Sequence, residues 1–443
     1  MGTLKFRPLT YENGVPTRAE CLRIAMLSVH SCPIGELGTK DTGGMNVYVR
    51  EIARELGSRG HHVDVYTRRH DPKDREIIEI AERVRLIHLR AGNNGDMHKL
   101  DIYPHLPDFS CALETFTIRE GLQYDLVHSH YWLSGRVGNW AQDCWNVPHI
   151  LMFHTLGAVK NGIGVGEEEP ELRSATEKQL VETCDRIIAS TEREKGELMQ
   201  HYSAPPEIIG VVPCGVNLDL FRPLDKAMAR QQLGLDQDDG IVLYVGRFSP
   251  LKGIDRLLEA MTYLQHNQAF RLVIIGGDGQ NTPESLKLAR LSEALGIQNR
   301  VTFAGRIEQE NLSTYYSAAD VLVVPSHHES FGLVALESLA CGTPVVATNV
   351  GAMELILREG ETGCVLANAA PRLIANKIRT LVSIAHEEPQ RADAIRASVV
   401  RFSWTNVADA LIEEYRAVIS RRRFSSIRNT SPKVLHFPTA KQI

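Results

Sequence analysis

No stretch of about 18 consecutive apolar residues occurs in this 443-residue chain, so no membrane-spanning helix is expected. The opening Met1-Gly-Thr-Leu-Lys-Phe6 has no apolar core of the kind a secretory leader needs. Gly2 is not followed four places on by the Ser or Thr that N-myristoylation favours. The eight cysteines (21, 32, 111, 144, 184, 214, 341 and 364) never fall at C-x-x-C spacing, and several lie in apolar runs. That argues against a disulfide framework or a zinc site and for reduced thiols in a cytoplasmic enzyme. The net charge of -5 makes no case for nucleic acid or an anionic membrane as partner. One segment departs from this balance. Residues 421–443 carry Arg421, Arg422, Arg423, Arg428, Lys433 and Lys441 and no acid, and read as a basic, disordered tail.

The chain does have the apolar share, 43%, and charged share, 23%, of a soluble globular protein, at a length that predicts two domains of roughly 200 residues each. Residues 1–21 are a polar extension. Short apolar runs then alternate with helical stretches, with strands expected at 22–29, 63–67, 84–89, 126–128, 150–153, 187–189 and 209–212 and a helix at 47–56. Such alternation predicts a mostly parallel sheet covered by helices on both faces. The segment 214–224, with Pro213-Cys-Gly-Val-Asn217 before Phe221-Arg-Pro223, reads as a linker between a first domain at 22–213 and a second at 225–402. The second repeats the pattern, with strands at 241–245, 272–275, 301–303, 321–324 and 344–347 and helices at 256–264, 284–295, 312–319, 333–340 and 370–384. A C-terminal helix at 403–420 follows, with Ser403 as its expected N-cap. The fold class is therefore α/β, with two doubly wound domains facing each other across a cleft. Ligands in such sheets sit beyond the carboxyl ends of the strands.

Candidate sites fall at those ends. Glu329 lies on the loop after the apolar run Val321-Leu-Val-Val-Pro325, and Glu337 lies about two turns into the next helix, with Ser330 as its expected N-cap. One carboxylate can hold sugar hydroxyls, the helix amides can meet a phosphate, and the second carboxylate can take both hydroxyls of a ribose. Gly246-Arg-Phe-Ser-Pro-Leu-Lys-Gly253 places Arg247 and Lys252 where they either neutralise a diphosphate or stand solvated at the surface. In the first domain, the loop from Gly38 to Tyr48 opens a helix through Gly43-Gly44, either a plain turn or a close approach to a ligand. It does not spell G-x-G-x-x-G, which weakens a dinucleotide reading. His128 and His130 are poor metal candidates, with no cysteine or acid at suitable spacing. His128 is expected buried and hydrogen-bonded. His154, after an apolar run, is expected to point into the cleft. Asp236-Gln-Asp238 has the D-x-D form of metal-dependent transferases but lies in a polar turn. No metal site is expected.

Taken together, these segments resemble family 4 of the retaining glycosyltransferases over residues 22–420. That resemblance implies the GT-B arrangement of two Rossmann-like domains, with the C-terminal helix crossing back. Glu329-x7-Glu337 matches the family's donor motif and Gly246-Arg247…Lys252-Gly253 its diphosphate motif. The segments Asp41-Thr-Gly-Gly-Met-Asn-Val-Tyr48, His128-Ser-His-Tyr-Trp-Leu-Ser-Gly135 and His154-Thr-Leu-Gly-Ala-Val-Lys-Asn161 are most similar to the branch that glycosylates inositol phosphates. A related branch, which transfers glucose to fructose 6-phosphate or fructose, usually has Gln where this chain has Met45 and stays open as the alternative. By the resemblance, Gly44, Arg247, Lys252, Glu329 and Glu337 are donor positions. His30, Asn46, Lys99, Tyr131, Thr155 and Arg173 are acceptor positions, four of them (Lys99, Tyr131, Thr155 and Arg173) forming a phosphate cluster. His154, Arg247, Lys252 and Glu329 are the catalytic set. The implied partners are a UDP-sugar co-substrate carrying N-acetylglucosamine or glucose and a phosphorylated acceptor, with 1D-myo-inositol 3-phosphate first. No cofactor is required, and oligomeric state, a homodimer included, is left open. Two departures stand: residues 161–172 need a gap of about two to bring Arg173 into place, and Gly351-Ala-Met-Glu354 lacks a second glycine and a proline.

Overall fold

A computed structural model describes residues 21–35, 42–93, 95, 97–264, 269–277, 282–387 and 391–428. The expected extension before residue 21 and the loop from Gly38 to Asp41 lie outside the described residues, as do residues 429–443 of the expected tail. The first sheet contains β1 (Arg23–Leu27), β2 (His62–Arg68), β3 (Ile77–Ala81), β4 (Val84–Leu89), β5 (Leu126–His130), β6 (His149–Met152), β7 (Arg186–Ala189) and β8 (Ile209–Val211). Its order is β3-β4-β2-β1-β5-β6-β7-β8. The second contains β9 (Gly240–Val245), β10 (Phe270–Ile275), β11 (Val301–Gly305), β12 (Val321–Val324), β13 (Val345–Thr348) and β14 (Gly363–Leu366), in the order β11-β10-β9-β12-β13-β14. The apolar runs are covered on both faces, and so their strands read as unbroken Val, Ile and Leu.

β3 went unforeseen. It pairs antiparallel with β4 at the sheet edge and stays half-exposed, so its sequence carries no long apolar run. β14 and the helix Arg391–Val399 were also unforeseen.

In each sheet the chain reverses its winding beside the first strand, between β1 and β5 and between β9 and β12. A crevice opens at the carboxyl ends at such a point. The loops after β1, β5 and β6 therefore meet the loops after β9 and β12.

The segment 214–224 is no free linker. Cys214, Val216 and Phe221 are buried, and Arg396 donates to the carbonyls of Leu218, Phe221 and Ala340. The C-terminal helix, Trp404–Arg428, runs past the expected end at 420, so part of the expected tail is helical. The Ser403 hydroxyl accepts from the Asn406 amide at 3.3 Å, as a cap does. This helix returns to the first domain. Arg59 pairs with Asp409 at 2.9 Å, Arg186 with Glu414 at 2.7 Å and Arg422 with Asp185 at 2.8 Å. Val216 N–H donates to the Phe402 carbonyl at 2.8 Å, so the two chain crossings between domains are bonded to each other.

Candidate active site

The residues expected to hold the donor are built on β9 and β12. Gly253 has φ 63°, a left-handed turn that favours glycine, and a Cβ there would stand 2.3 Å from the Pro325 carbonyl. This close approach brings the loop after β9 against the loop after β12. Lys252 Nζ consequently donates to Glu329 Oε1 at 2.7 Å, and the Ser326 hydroxyl donates to the same oxygen at 2.7 Å. Burial alone would raise the Glu329 carboxyl, but Lys252, by charge and hydrogen bond, and Ser326 hold it below its ordinary value. Arg247 is exposed on the same loop, its Nε 4.0 Å from where a Cβ on Gly43 would stand. Gly44 opens the helix Gly44–Ser58 against Leu333, whose Cδ1 would be 3.4 Å from a Cβ at that position. The glycine pair of the first domain thus faces both Arg247 and the start of the helix Leu333–Ala340.

Two expectations about that helix need correction. Ser330 is not its N-cap. Gly332, at φ 104°, occupies the cap position without a side-chain hydrogen bond, which leaves Ser330 too far back to reach the first-turn amides. Glu337 sits little more than one turn inside, because it lies only four residues past Leu333, where the helix begins as expected. It is 7% exposed and accepts the Tyr316 hydroxyl at 2.7 Å. Burial pushes its carboxyl up to about 7, against the downward pull of Tyr316, Gln309 and Arg50.

The residues expected to hold the acceptor are built on β1, β5 and β6. Tyr131 and His154, immediately beyond β5 and close beyond β6, have φ 76° and φ 61°. Such backbone costs about 1–3 kcal/mol in a non-glycine residue and clusters at functional sites. The His30 ring packs tilted against Tyr131, 4.4 Å between centroids, and the Arg173 guanidinium lies 4.9 Å from the same ring. Arg173 Nη2 donates to the Thr155 hydroxyl at 2.9 Å and to its carbonyl at 2.7 Å. Lys99, on the helix Lys99–Ile102, reaches Glu169 at 3.4 Å. Lys99, Tyr131, Thr155 and Arg173 are therefore brought into one cluster. Asn46 is used differently. It is fully buried, donates to Ser31 and the Cys32 carbonyl at 2.7 Å each, and accepts the Gly43 amide at 2.9 Å, so it shapes the glycine loop.

His154 lines a cleft shared with Thr155, His327, His328, Glu329 and Ser330, so the candidate residues of the two domains meet there. Its Nε2 pairs with His130 Nδ1 at 2.9 Å. His128 is buried, as expected, with Nδ1 bonded to the Tyr415 hydroxyl at 2.7 Å. Burial holds His128 and His154 down at about 3 and His130 well below its usual value, so all three are neutral at pH 7. Burial, then Lys99, does the same to His30, also at about 3. Asp236 and Asp238 stand on an exposed turn, where Asp236 accepts the Asp238 amide at 2.9 Å.

Sequence reasoning weighed His130 only as a metal ligand and passed over Lys160, Glu169 and Glu177. Arg173 pairs with Glu169 at 3.0 Å and with Glu177 at 2.8 Å. An arginine flanked by glutamates four residues away on each side was the available signal.

Comparison with known proteins follows this division. The description "Glycosyltransferase Family 4" matches residues 42–220, and "Glycosyl transferases group 1" matches residues 225–398. The D-inositol 3-phosphate glycosyltransferase of Rhodococcus jostii (strain RHA1) is 41% identical over 409 residues, covering 89% of each chain. That of Corynebacterium glutamicum (strain R) is 38% identical, over 90% of this chain and 97% of the relative. Among solved structures, sucrose-phosphate synthase from Thermosynechococcus elongatus superposes with a TM-score of 0.83 at 35% identity, over 90% of this chain and 100% of that one. Two family descriptions that meet at the domain boundary, and relatives running nearly the full length, lead to one conclusion: this chain belongs to glycosyltransferase family 4 and has the GT-B fold.

Proposed function

We propose that the protein is a retaining hexosyltransferase that moves N-acetylglucosamine or glucose from a UDP-sugar to a phosphorylated small-molecule acceptor, 1D-myo-inositol 3-phosphate first. One observation carries the reading. Lys99 and Arg173, with Tyr131 and Thr155, gather at the carboxyl end of the first sheet, across the cleft from the Lys252–Glu329 pair. The names of the relatives in Rhodococcus and Corynebacterium support the choice of acceptor.

In this reading Glu337 takes the ribose hydroxyls and Gly44 leaves room for phosphate beside the helix start. Glu329 exchanges Lys252 for the sugar's hydroxyls, and Lys252 turns with Arg247 to the diphosphate. The bond from the anomeric carbon to the diphosphate breaks, and its electron pair leaves with the diphosphate. The acceptor hydroxyl bonds to that carbon on the same face, and its proton passes to the departing phosphate oxygen. Arg247 and Lys252 stabilise charge that grows in the transition state, so they act mainly on rate. His154, neutral and held by His130, faces the sugar through its carbonyl and ring. His30 and Asn46 complete the acceptor wall, His30 by packing against Tyr131 and Asn46 by fixing the loop. These charged groups and helix amides do the work of a metal, so neither a metal nor another cofactor is needed. Closure of the domains excludes water. Eight free cysteines fit a cytoplasmic setting.

The second reading, transfer of glucose to fructose 6-phosphate, is favoured by the likeness to sucrose-phosphate synthase. A screen of UDP-sugars against inositol 3-phosphate, fructose 6-phosphate and their unphosphorylated parents, reading UDP release, decides between them. Turnover only with unphosphorylated acceptors sinks both.

A further inference from the structure

Glu169 is a buried carboxylate in the acceptor cluster that the proposed reaction does not use. It is 5% exposed and faces Lys99 at 3.4 Å, Arg173 Nη1 at 3.0 Å and Lys160, whose Nζ donates to Oε1. Glu177 takes the other side of Arg173 at 2.8 Å. Three cations thus face two carboxylates. Were Glu169 to leave and a phosphate of nearly two negative charges to enter, the same three cations would be closely balanced. Arg173 Nη1 is buried and makes no hydrogen bond, although Glu169 is within ion-pair reach. One strong donor therefore stands ready for a better-placed oxygen.

The segment before Glu169 is rich in glycine. Gly162, Gly164 and Gly166 lie in it, the last two at φ 67° and 88°. A side chain at Gly162 or Gly164 would meet nothing within 4 Å, and one at Gly166 would meet Leu251, the neighbour of Lys252, at 3.7 Å. Asn161 fastens Glu169 in place, accepting its amide at 2.7 Å and donating to its carbonyl at 2.9 Å.

We infer that Glu169 is an internal anion which occupies the acceptor's phosphate subsite in the empty enzyme and is displaced by the phosphate, with Lys160 as a further cation of that subsite. The inference rests on the phosphorylated-acceptor reading above. It adds a source of selectivity. A phosphate exchanges one anion for another, whereas a neutral acceptor leaves Glu169 in place or strands three cations, Arg173 among them fully buried.

The test uses the full chain and inorganic phosphate as probe. Glu169→Gln should bind phosphate about tenfold more tightly or better, and Lys160→Met about tenfold more weakly. In the wild type, phosphate should speed hydrogen exchange of the Glu169 amide as Asn161 lets go, a readout that does not depend on any variant folding. Equal or weaker phosphate binding by a folded Glu169→Gln, or exchange at Glu169 that slows or stays unchanged, overturns the inference. If the wild type prefers the unphosphorylated acceptor, the underlying reading fails instead. If it prefers the phosphorylated one while Glu169→Gln leaves phosphate binding unchanged, the inference alone falls.

Discussion

Replacing Arg173 with alanine would be the obvious probe of phosphate recognition, but the structure predicts a large effect on folding as well. Arg173 is fully buried, and Glu177 beside it is too. Breaking a buried ion pair from one side costs about 3–5 kcal/mol, because the surviving charge is left without its partner. Here the lower end applies. Glu177 keeps the Tyr202 hydroxyl and the Gly157 amide at 2.9 Å, and Glu169 keeps Lys99 and Lys160. The cost should be about 3 kcal/mol, which for a domain of this size lowers Tm by roughly 6–12 °C. Thermal melts of Arg173→Ala, Glu177→Gln and the double variant form a cycle that isolates the pair. The double variant should lose clearly less than the sum of the singles. A drop under about 2 °C in Arg173→Ala, or simple additivity in the cycle, refutes the claim that this pair is buried and coupled. Acceptor kinetics for the variant are meaningful only well below its own Tm, where the ratio of kcat/KM for phosphorylated and plain acceptors should collapse.

Three further outcomes are expected. Glu337 has a folded value of about 7, above its ordinary 4.5, so its ionisation works against the fold. Its stabilising contribution is full below about 4.5 and is lost as pH rises through 7, while UDP-sugar affinity rises over the same window as the carboxylate forms. Isothermal titration from pH 5.5 to 8.5 should show that rise in the wild type and none in Glu337→Gln; a flat wild-type profile contradicts it. Gly253→Ala forces a Cβ to within 2.3 Å of a carbonyl at positive φ, so the Lys252 loop must move and kcat should fall at least about tenfold; unchanged steady-state kinetics would mean the turn is not needed. Tyr415→Phe leaves His128 Nδ1 buried without its 2.7 Å partner, at a cost of about 1–3 kcal/mol readable as a lower Tm; a Tm equal to the wild type's denies that this bond holds the C-terminal helix to the first domain.

Strands covered on both faces were plain in the sequence because burial leaves little room for polar residues. The runs at 84–89 and 321–324 and the helix at 333–340 fell where expected. β3 escaped because it is only half-buried at the sheet edge and exposed Glu79 interrupts its apolar residues. Glu329, Lys252 and Arg247 could be picked out because each follows an apolar strand. Ser330 misled because Gly332, in a left-handed turn, takes the cap position directly before Leu333. Glu169 gave no local sign of pairing with Lys99, since a contact across 70 residues leaves no periodic trace.

The hydrogen bond between Val216 and Phe402 has a mechanical consequence. Two chains cross between the domains, and two separated tethers would permit almost no relative rotation. Pinned side by side, they act as a single pivot, and motion reduces to a swing about an axis through that point. The cleft rim, far from the pivot, then sweeps the longest arc, whereas the Tyr48–Trp404 contact, 5.6 Å between ring centres, gives a fixed bearing surface near the axis. Such a joint fixes the path of approach as well as its end point. Any closure about it would bring Arg247 and the Gly43-Gly44 turn together in one register.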